Sequence, residues 1–305
     1  MGQQTVPVKL LLLGANGQVG WELQRSLAPL GEVVACTREQ ADLSRPESLR
    51  ALVDAHAPQA IINAAAYTAV DKAEDDEATA RLVNAEAVRV LADCANATGA
   101  VFVHYSTDYV FDGTYELGYE EDAETGPLSA YGRTKLAGER EITASGCLGY
   151  IFRTSWVYAA RGGNFAKTML RLASERDELN VVADQYGAPT SAELIADVTA
   201  QVVARALDDR NFARRTSGIY HLAAGGHTTW HGFARFVIQH ANALGYETRL
   251  SAEEIRPITT AEFPVPARRP AYSLFNTDKL CSTFGLMLPR WQLHAERMMV
   301  EYLNK

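Results

Sequence analysis

Residues Val8 to Leu13 make an unbroken apolar run that stops at a glycine. Gly14, Gly17 and Gly20 follow at intervals of three, and from Trp21 to Leu30 the apolar residues recur at helical spacing. A short apolar run bounded by a turn reads as a fully buried strand. A glycine turn between such a strand and a helix lets the backbone approach a pyrophosphate, whose charge meets the helix amides and dipole. The spacing is G-x-x-G-x-x-G and not G-x-G-x-x-G, so the flanking strand and helix carry the reading. Gly14, Gly17 and Gly20 are candidate cofactor contacts, with a purely structural turn as the alternative.

The pattern then repeats. Glu32–Cys36, Ala60–Asn63, Val101–Tyr105 and Gly149–Thr154 read as further strands, with helical segments between them. Strands that alternate with helices predict a parallel sheet with helices on its faces. The second strand ends in Cys36-Thr37-Arg38-Glu39. With no acid at its tip and Arg38 adjacent, it leans towards accepting the 2′-phosphate of NADPH. A solvated surface charge is the alternative for Arg38. Ser44 is the expected cap of a helix that begins near Pro46, and Asp71 to Thr98 reads as one long helix. Small residues, Ala64, Ala65 and Ala66, follow the third strand, where open α/β sheets bind ligands.

Tyr131 and Lys135 stand four residues apart at the start of another helical segment, so they share a face one turn apart. A phenol is a poor acid near neutral pH, and a neighbouring ammonium favours its phenolate. The pair is a candidate proton donor and acceptor. Ser106, Thr107, Asp108 and Tyr109 end the fourth strand, where a hydroxyl could bond the same substrate oxygen as Tyr131. Turn capping is the alternative for Ser106 and Thr107.

Composition narrows the partners. The chain has 305 residues and a formal net charge of -8, which argues against nucleic acid, since phosphate binding needs basic patches. Its apolar runs are too short to span a bilayer, and the polar residues 1–7 do not look like a leader. Cys36, Cys94, Cys147 and Cys281 form no C-x-x-C pair, so free thiols in a reducing cytoplasm are expected.

Taken together, the glycine turn, Asn63-Ala64-Ala65-Ala66, Ser106-Thr107-Asp108, Tyr131-x-x-x-Lys135 and Arg153-Thr154-Ser155-Trp156-Val157-Tyr158 resemble the extended short-chain dehydrogenase/reductases. The runs His104–Phe111, Asn164–Leu170, Asp184–Thr190 and Ala267–Pro270 resemble more closely its bacterial dTDP-4-dehydrorhamnose reductase branch. The resemblance implies an α/β fold: a Rossmann-like doubly wound parallel sheet with a smaller, interleaved C-terminal substrate domain. The dinucleotide-binding part is expected over 1–160, with returns to the sheet over roughly 185–225, and substrate-binding segments mainly over 161–305.

The implied activity is reduction of the 4-keto group of a dTDP-linked 6-deoxysugar with NADPH or NADH, to give dTDP-L-rhamnose for cell-surface polysaccharide such as lipopolysaccharide. Tyr131 would donate the proton, Lys135 would hold the phenolate and the nicotinamide ribose, and Thr107 would orient the oxygen. Gly17, Gln18, Val19, Asp42, Leu43, Ala66, Tyr67, Thr68 and Tyr105 would line the cofactor. Thr107, Asp108, Tyr109 and Trp156 would meet the sugar nucleotide. Arg268 and Arg269 would face its diphosphate, or else form a surface pair packed by their stems. Glu193 and Glu301 are the acids that the resemblance places near a magnesium ion at a homodimer contact; solvated helix charges are the alternative. Two other readings stay open: an epimerase or 4,6-dehydratase on nucleotide sugars, and a non-catalytic, cofactor-sensing regulatory subunit.

Overall fold

The structure, a computed structural model, describes residues 8–304; the leader expectation for residues 1–7 falls outside them. The fold is α/β with a large parallel sheet. Strand β1 (Lys9–Leu13) pairs in parallel with β2 (Glu32–Cys36) on one side and with β3 (Ala60–Asn63) on the other. Strand β3 pairs in parallel with β4 (Val101–Thr107). β5 (Leu148–Thr154) and Gly218–His221 complete six strands, in the order Gly218–His221, β5, β4, β3, β1, β2. Chain order reverses between β1 and β3. That is the switch point at which such sheets bind ligands beyond their carboxyl ends.

The chain divides into two compact units. The first takes the chain up to Thr107, then Ala130–Arg153 and Ala196–Tyr220. Its core stacks Leu11, Leu13, Ile61, Phe102 and Ile151 of the sheet on Leu49 and Val53 of the helix Pro46–His56 and on Val88 and Leu91 of the helix Ala87–Thr98. All of these are at most 3% exposed. Each such side chain contributes about 1.5–3 kcal/mol by leaving water, which is why the strands read as continuous apolar runs.

The second unit takes Asp108–Ser129, Thr154–Ile195 and the chain from His221 onward. Its core packs Met169 and Ala173 of the helix Phe165–Glu175 with Ala234 and Ile238 of the helix Trp230–Ala243. Both lie with the parallel strand pair Leu179–Val182 and Ile255–Ile258. Thr229 caps the second of these helices by accepting from Gly232 N, as its place before Trp230 predicts.

Three expectations need correction. The helix after β2 is capped by Arg45 and not by Ser44, because Pro46 takes the first helical position. Ser44 instead donates its hydroxyl to Asp42 Oδ1. Residues 71–98 are not one helix. Asp76 leaves helical geometry and accepts from Thr79 N, which starts a second segment; a π turn over Leu82–Glu86 then precedes Ala87–Thr98. The fourth strand also runs two residues further than expected, so Ser106 and Thr107 lie in β4 itself. No helix among the described residues is long and apolar enough to cross a membrane.

Candidate active site

The loops beyond β1 and β3 touch. Gly14 has φ +80°, and a side chain there would meet Ala65 N at 2.7 Å. Ala64 N donates to Leu13 O at 3.0 Å. A side chain on Gly20 would lie 2.1 Å from Gly14 O. Glycine is thus required twice, once for backbone shape and once for close approach. Gly17, itself exposed, caps helix α1 (Gln18–Leu27) without a side-chain cap hydrogen bond of its own. A helix N-terminus beside a glycine turn suits a pyrophosphate. Gln18 and Val19, half-buried, open this helix.

Arg38 lies just past β2, where its guanidinium is 83% exposed and stands 3.6 Å from Asp42 Oδ1. Asp42 is anchored chiefly by Ser44, whose hydroxyl and amide hold its carboxyl below the usual range. Leu43 is buried in the core. Beyond β3, Asn84 clamps Tyr67: its Oδ1 accepts from Tyr67 N at 2.9 Å and its Nδ2 donates to Tyr67 O at 3.1 Å. Nδ2 also donates to Thr134 Oγ1. The π turn delivers Asn84 to this position, and the clamp ties the Ala66-Tyr67-Thr68 loop to the helix Ala130–Ser145, which carries Tyr131 and Lys135.

Lys135 is 1% exposed. Its Nζ donates to Tyr105 O at 2.5 Å and stands 3.0 Å from His104 Nε2. Burial pushes the ammonium down to about 8, against the pull of the Glu139 carboxylate one turn on. Burial, and then the Lys135 charge, hold His104 well below its usual range, so its ring is neutral. Tyr105 turns its phenol to Thr199 Oγ1 at 2.8 Å and thus offers this site its backbone carbonyl. The ring of Tyr131 packs with Tyr67 against Ala73, Ala80 and Ala130. Thr107 is buried at the tip of β4, one residue past Ser106.

Glu139 and Asn84 lie outside the sequence motifs, and Asn63, His104 and Arg153 stand within them without a role that spacing assigns. Arg153 donates to both Glu139 oxygens, at 3.0 Å from Nε and 2.7 Å from Nη2, and both side chains are nearly sealed from water. An arginine buried in the strand directly after Tyr150-Ile151-Phe152 needs such a partner. Glu139 falls at Lys135 + 4 on the same face, so spacing could have found it.

The second unit gathers other candidates. Asp108, buried, accepts from Ser273 Oγ at 2.5 Å. Tyr109 Oη accepts from Arg269 Nη1 at 3.3 Å across 160 positions of sequence. Trp156 sits at φ +50°, a left-handed conformation that costs a bulky residue about 1–3 kcal/mol. It is held by stacking on Trp230, with centroids 3.5 Å apart and planes at 10°. A side chain on Gly187 would reach within 2.5 Å of the Trp156 ring. Arg268 is exposed and stays apart from the Tyr109–Arg269 contact.

Glu193 accepts two bonds from Arg297, at 2.7 and 3.2 Å, and Glu301 is exposed on the last helix. No group of three or more His, Cys, Asp or Glu side chains converges among the described residues. Within one chain Glu193 is engaged by Arg297 and Glu301 stands on the last helix.

The sequence matches the family model for the RmlD substrate binding domain over residues 8–304. It is 52% identical over 285 residues to a dTDP-4-dehydrorhamnose reductase of Burkholderia thailandensis, covering 93% of this chain and 96% of that one. It is 49% identical to one from Salmonella typhimurium, covering 96% and 98%. Among solved structures it is similar to a Bacillus anthracis dTDP-4-dehydrorhamnose reductase in complex with NADP. The TM-score there is 0.88 and the identity 33%, with 97% of this chain and 100% of that one covered. With such matches along nearly its whole length, the chain belongs to the dTDP-4-dehydrorhamnose reductase family.

Proposed function

We propose that the protein reduces the 4-keto group of dTDP-4-dehydro-L-rhamnose to dTDP-L-rhamnose, with NADPH or NADH as reductant. The observation that carries this reading is the Tyr131–Lys135 pair, whose lysine is buried and pinned to the β4 carbonyl at 2.5 Å. The glycine-walled turn, the helix N-terminus that follows it and Arg38 fit a dinucleotide. When bound, the cofactor supplies hydride to C4 of the sugar.

The chain's own residues handle charge and protons. Negative charge grows on the sugar oxygen as hydride arrives, and the phenol of Tyr131 gives it a proton. Lys135 stabilises the resulting phenolate by charge, and the Thr107 hydroxyl orients the oxygen. The first unit is the cofactor-binding part and the second supplies the sugar-nucleotide contacts. There Trp156, braced by Trp230, offers an aromatic face to the sugar, Tyr109 and Asp108 meet the sugar nucleotide, and Arg269 with Arg268 faces the diphosphate. Four free thiols support a reducing, cytoplasmic setting. The product would serve as a rhamnose donor for cell-surface polysaccharide, including lipopolysaccharide, and the working form would be a homodimer.

The test is direct. Purified protein, the dTDP-4-keto sugar and NADPH should consume reduced nicotinamide in proportion to the rhamnose formed. Conversion of dTDP-glucose to a 4-keto product without added cofactor would overturn the reading in favour of a dehydratase.

A further inference from the structure

Behind Lys135 lies a chain of three buried side chains with a fixed hydrogen-bond direction. Asn63, His104 and Lys135 are each 1% exposed. Asn63 Oδ1 accepts from Ala65 N at 3.1 Å, which fixes the orientation of the amide. Its Nδ2, a donor, therefore faces His104 Nδ1 at 3.2 Å. A neutral imidazole has one N–H and one acceptor nitrogen. If Nδ1 accepts from Asn63, the N–H must be on Nε2, and Nε2 faces Lys135 Nζ at 3.0 Å.

An N–H aimed at an ammonium meets another donor. Aimed at a neutral amine, it meets a lone pair. In the neutral state each of these contacts pairs a donor with an acceptor: Lys135 accepts from Nε2 and donates an N–H to Tyr105 O. In the charged state one buried contact is lost, either at Nε2 or, after a change of tautomer, at Asn63.

We propose that Asn63 and His104 are positioning residues for the reduction: the amide locks His104 as the Nε2–H tautomer, and that N–H keeps Lys135 poised to release a proton to Tyr131. The proton balance closes. The Tyr131 O–H bond breaks as the sugar oxygen takes its proton, then a Lys135 N–H bond breaks as the phenolate is reprotonated. Lys135 is left neutral, accepts from Nε2–H, and regains its proton from solvent.

The groups around Lys135 leave this arrangement in control. On its own helix stand Tyr131 and Glu139, and Glu139 is shared with Arg153 of β5. Strand β4 offers His104 and the Tyr105 carbonyl, with the Tyr105 phenol turned to Thr199. Glu74 is spent on Ala130 N and Glu77 on Arg133. Arg89 and Asp93 pair with each other at the surface, where Glu86 is also exposed.

The inference rests on the reductase reading, and the experiment separates the two. In protein labelled with ¹⁵N-histidine, two-bond ¹H–¹⁵N correlations report the tautomer without turnover. His104→Gln identifies the signal by deleting it from the seven histidines. Above the Lys135 titration, at about pH 9, wild type should show bare Nδ1 and protonated Nε2. Asn63→Asp keeps an acceptor for Ala65 N but turns an acceptor towards Nδ1, so the tautomer should flip and Nε2 should accept from the ammonium. The basic limb of the kcat/KM profile should then move up by about 1 unit, the scale of one buried hydrogen bond. Protonated Nδ1 in the wild type at that pH overturns the proposal, and so does an unmoved or lowered basic limb in Asn63→Asp. An inactive wild type would instead overturn the reductase reading.

Discussion

The two units place their polar groups by different means. In the first, they stand at the ends of regular elements: Gly14 after β1, Ala64 after β3, Thr107 at the tip of β4, Tyr131 and Lys135 in one helix. Their spacing follows from the periods of strand and helix, and their charges are buried and satisfied in short chains. In the second, the contacts join loops that are remote in sequence: Tyr109 with Arg269, Asp108 with Ser273, Trp156 with Trp230. The first arrangement suits chemistry, which needs fixed protons in low dielectric. The second suits recognition, where several moderate contacts add up. Substitutions in the first unit should therefore cost more, and in kcat or stability; those in the second should appear mainly in KM.

The sharpest test of that contrast is Tyr131→Phe. It removes the proton donor and keeps the ring packed with Tyr67. We expect kcat to fall by about 10²–10⁴, the range for a positioned general acid, with cofactor affinity nearly unchanged. Steady-state kinetics and a fluorescence titration with NADPH read the two effects. A kcat within a few-fold of wild type would leave the first unit with no privileged chemistry.

Arg153→Met comes next, and it probes stability. It strands Glu139 in a site that is 2% exposed, and breaking a buried pair from one side costs about 3–5 kcal/mol. Thermal unfolding should show a large drop in Tm. The double variant Arg153→Met/Glu139→Leu should recover much of it, because the stranded carboxylate is gone and the buried Lys135, already pushed down to about 8, can go neutral. A double variant as unstable as the single one would mean that the pair contributes by packing and not by charge.

This division explains what the sequence could tell. The alternating strands, the glycine turn and the Tyr131–Lys135 pair are local patterns, so both the sheet and the candidate catalytic pair are readable from spacing. Strand β4 runs two residues further than its apolar run because Ser and Thr hydroxyls also serve in turns and caps, while a β-branched Thr fits a strand equally well. The break at Asp76 was missed because an amphipathic stretch conceals a capping residue within it. Arg269 beside Tyr109 was not readable at all, since nothing local signals a contact across 160 positions. His104 stands in a motif, but its place between Asn63 and Lys135 follows from the fold and not from local spacing.

A smaller effect is expected from Tyr109→Phe in the second unit. The variant deletes the acceptor for Arg269 Nη1 and keeps the ring. One such bond, long at 3.3 Å, is worth about 1 kcal/mol. The KM for the sugar nucleotide should rise about five-fold, with kcat little changed. A fall in kcat equal to the rise in KM would show that recognition and chemistry are not divided between the units.

The smallest effect tests the first unit at its most exposed point. Arg38 is 83% exposed, and its contact with Asp42 is long and open to solvent. Exposed pairs of this sort contribute about 0–1 kcal/mol. Asp42 does not depend on it, because Ser44 supplies both the hydroxyl and the amide that hold the carboxylate. The guanidinium can therefore leave Asp42 at little cost and turn to a 2′-phosphate, which it matches better than a lysine would. On that account Arg38→Ala should raise the KM for NADPH a few-fold and leave that for NADH unchanged, with the same Tm. Arg38→Lys should fall between the two, since it keeps the charge and loses the fork. Equal changes for both cofactors would mean that Arg38 is a solvated charge, and that the second strand's tip does not choose between them.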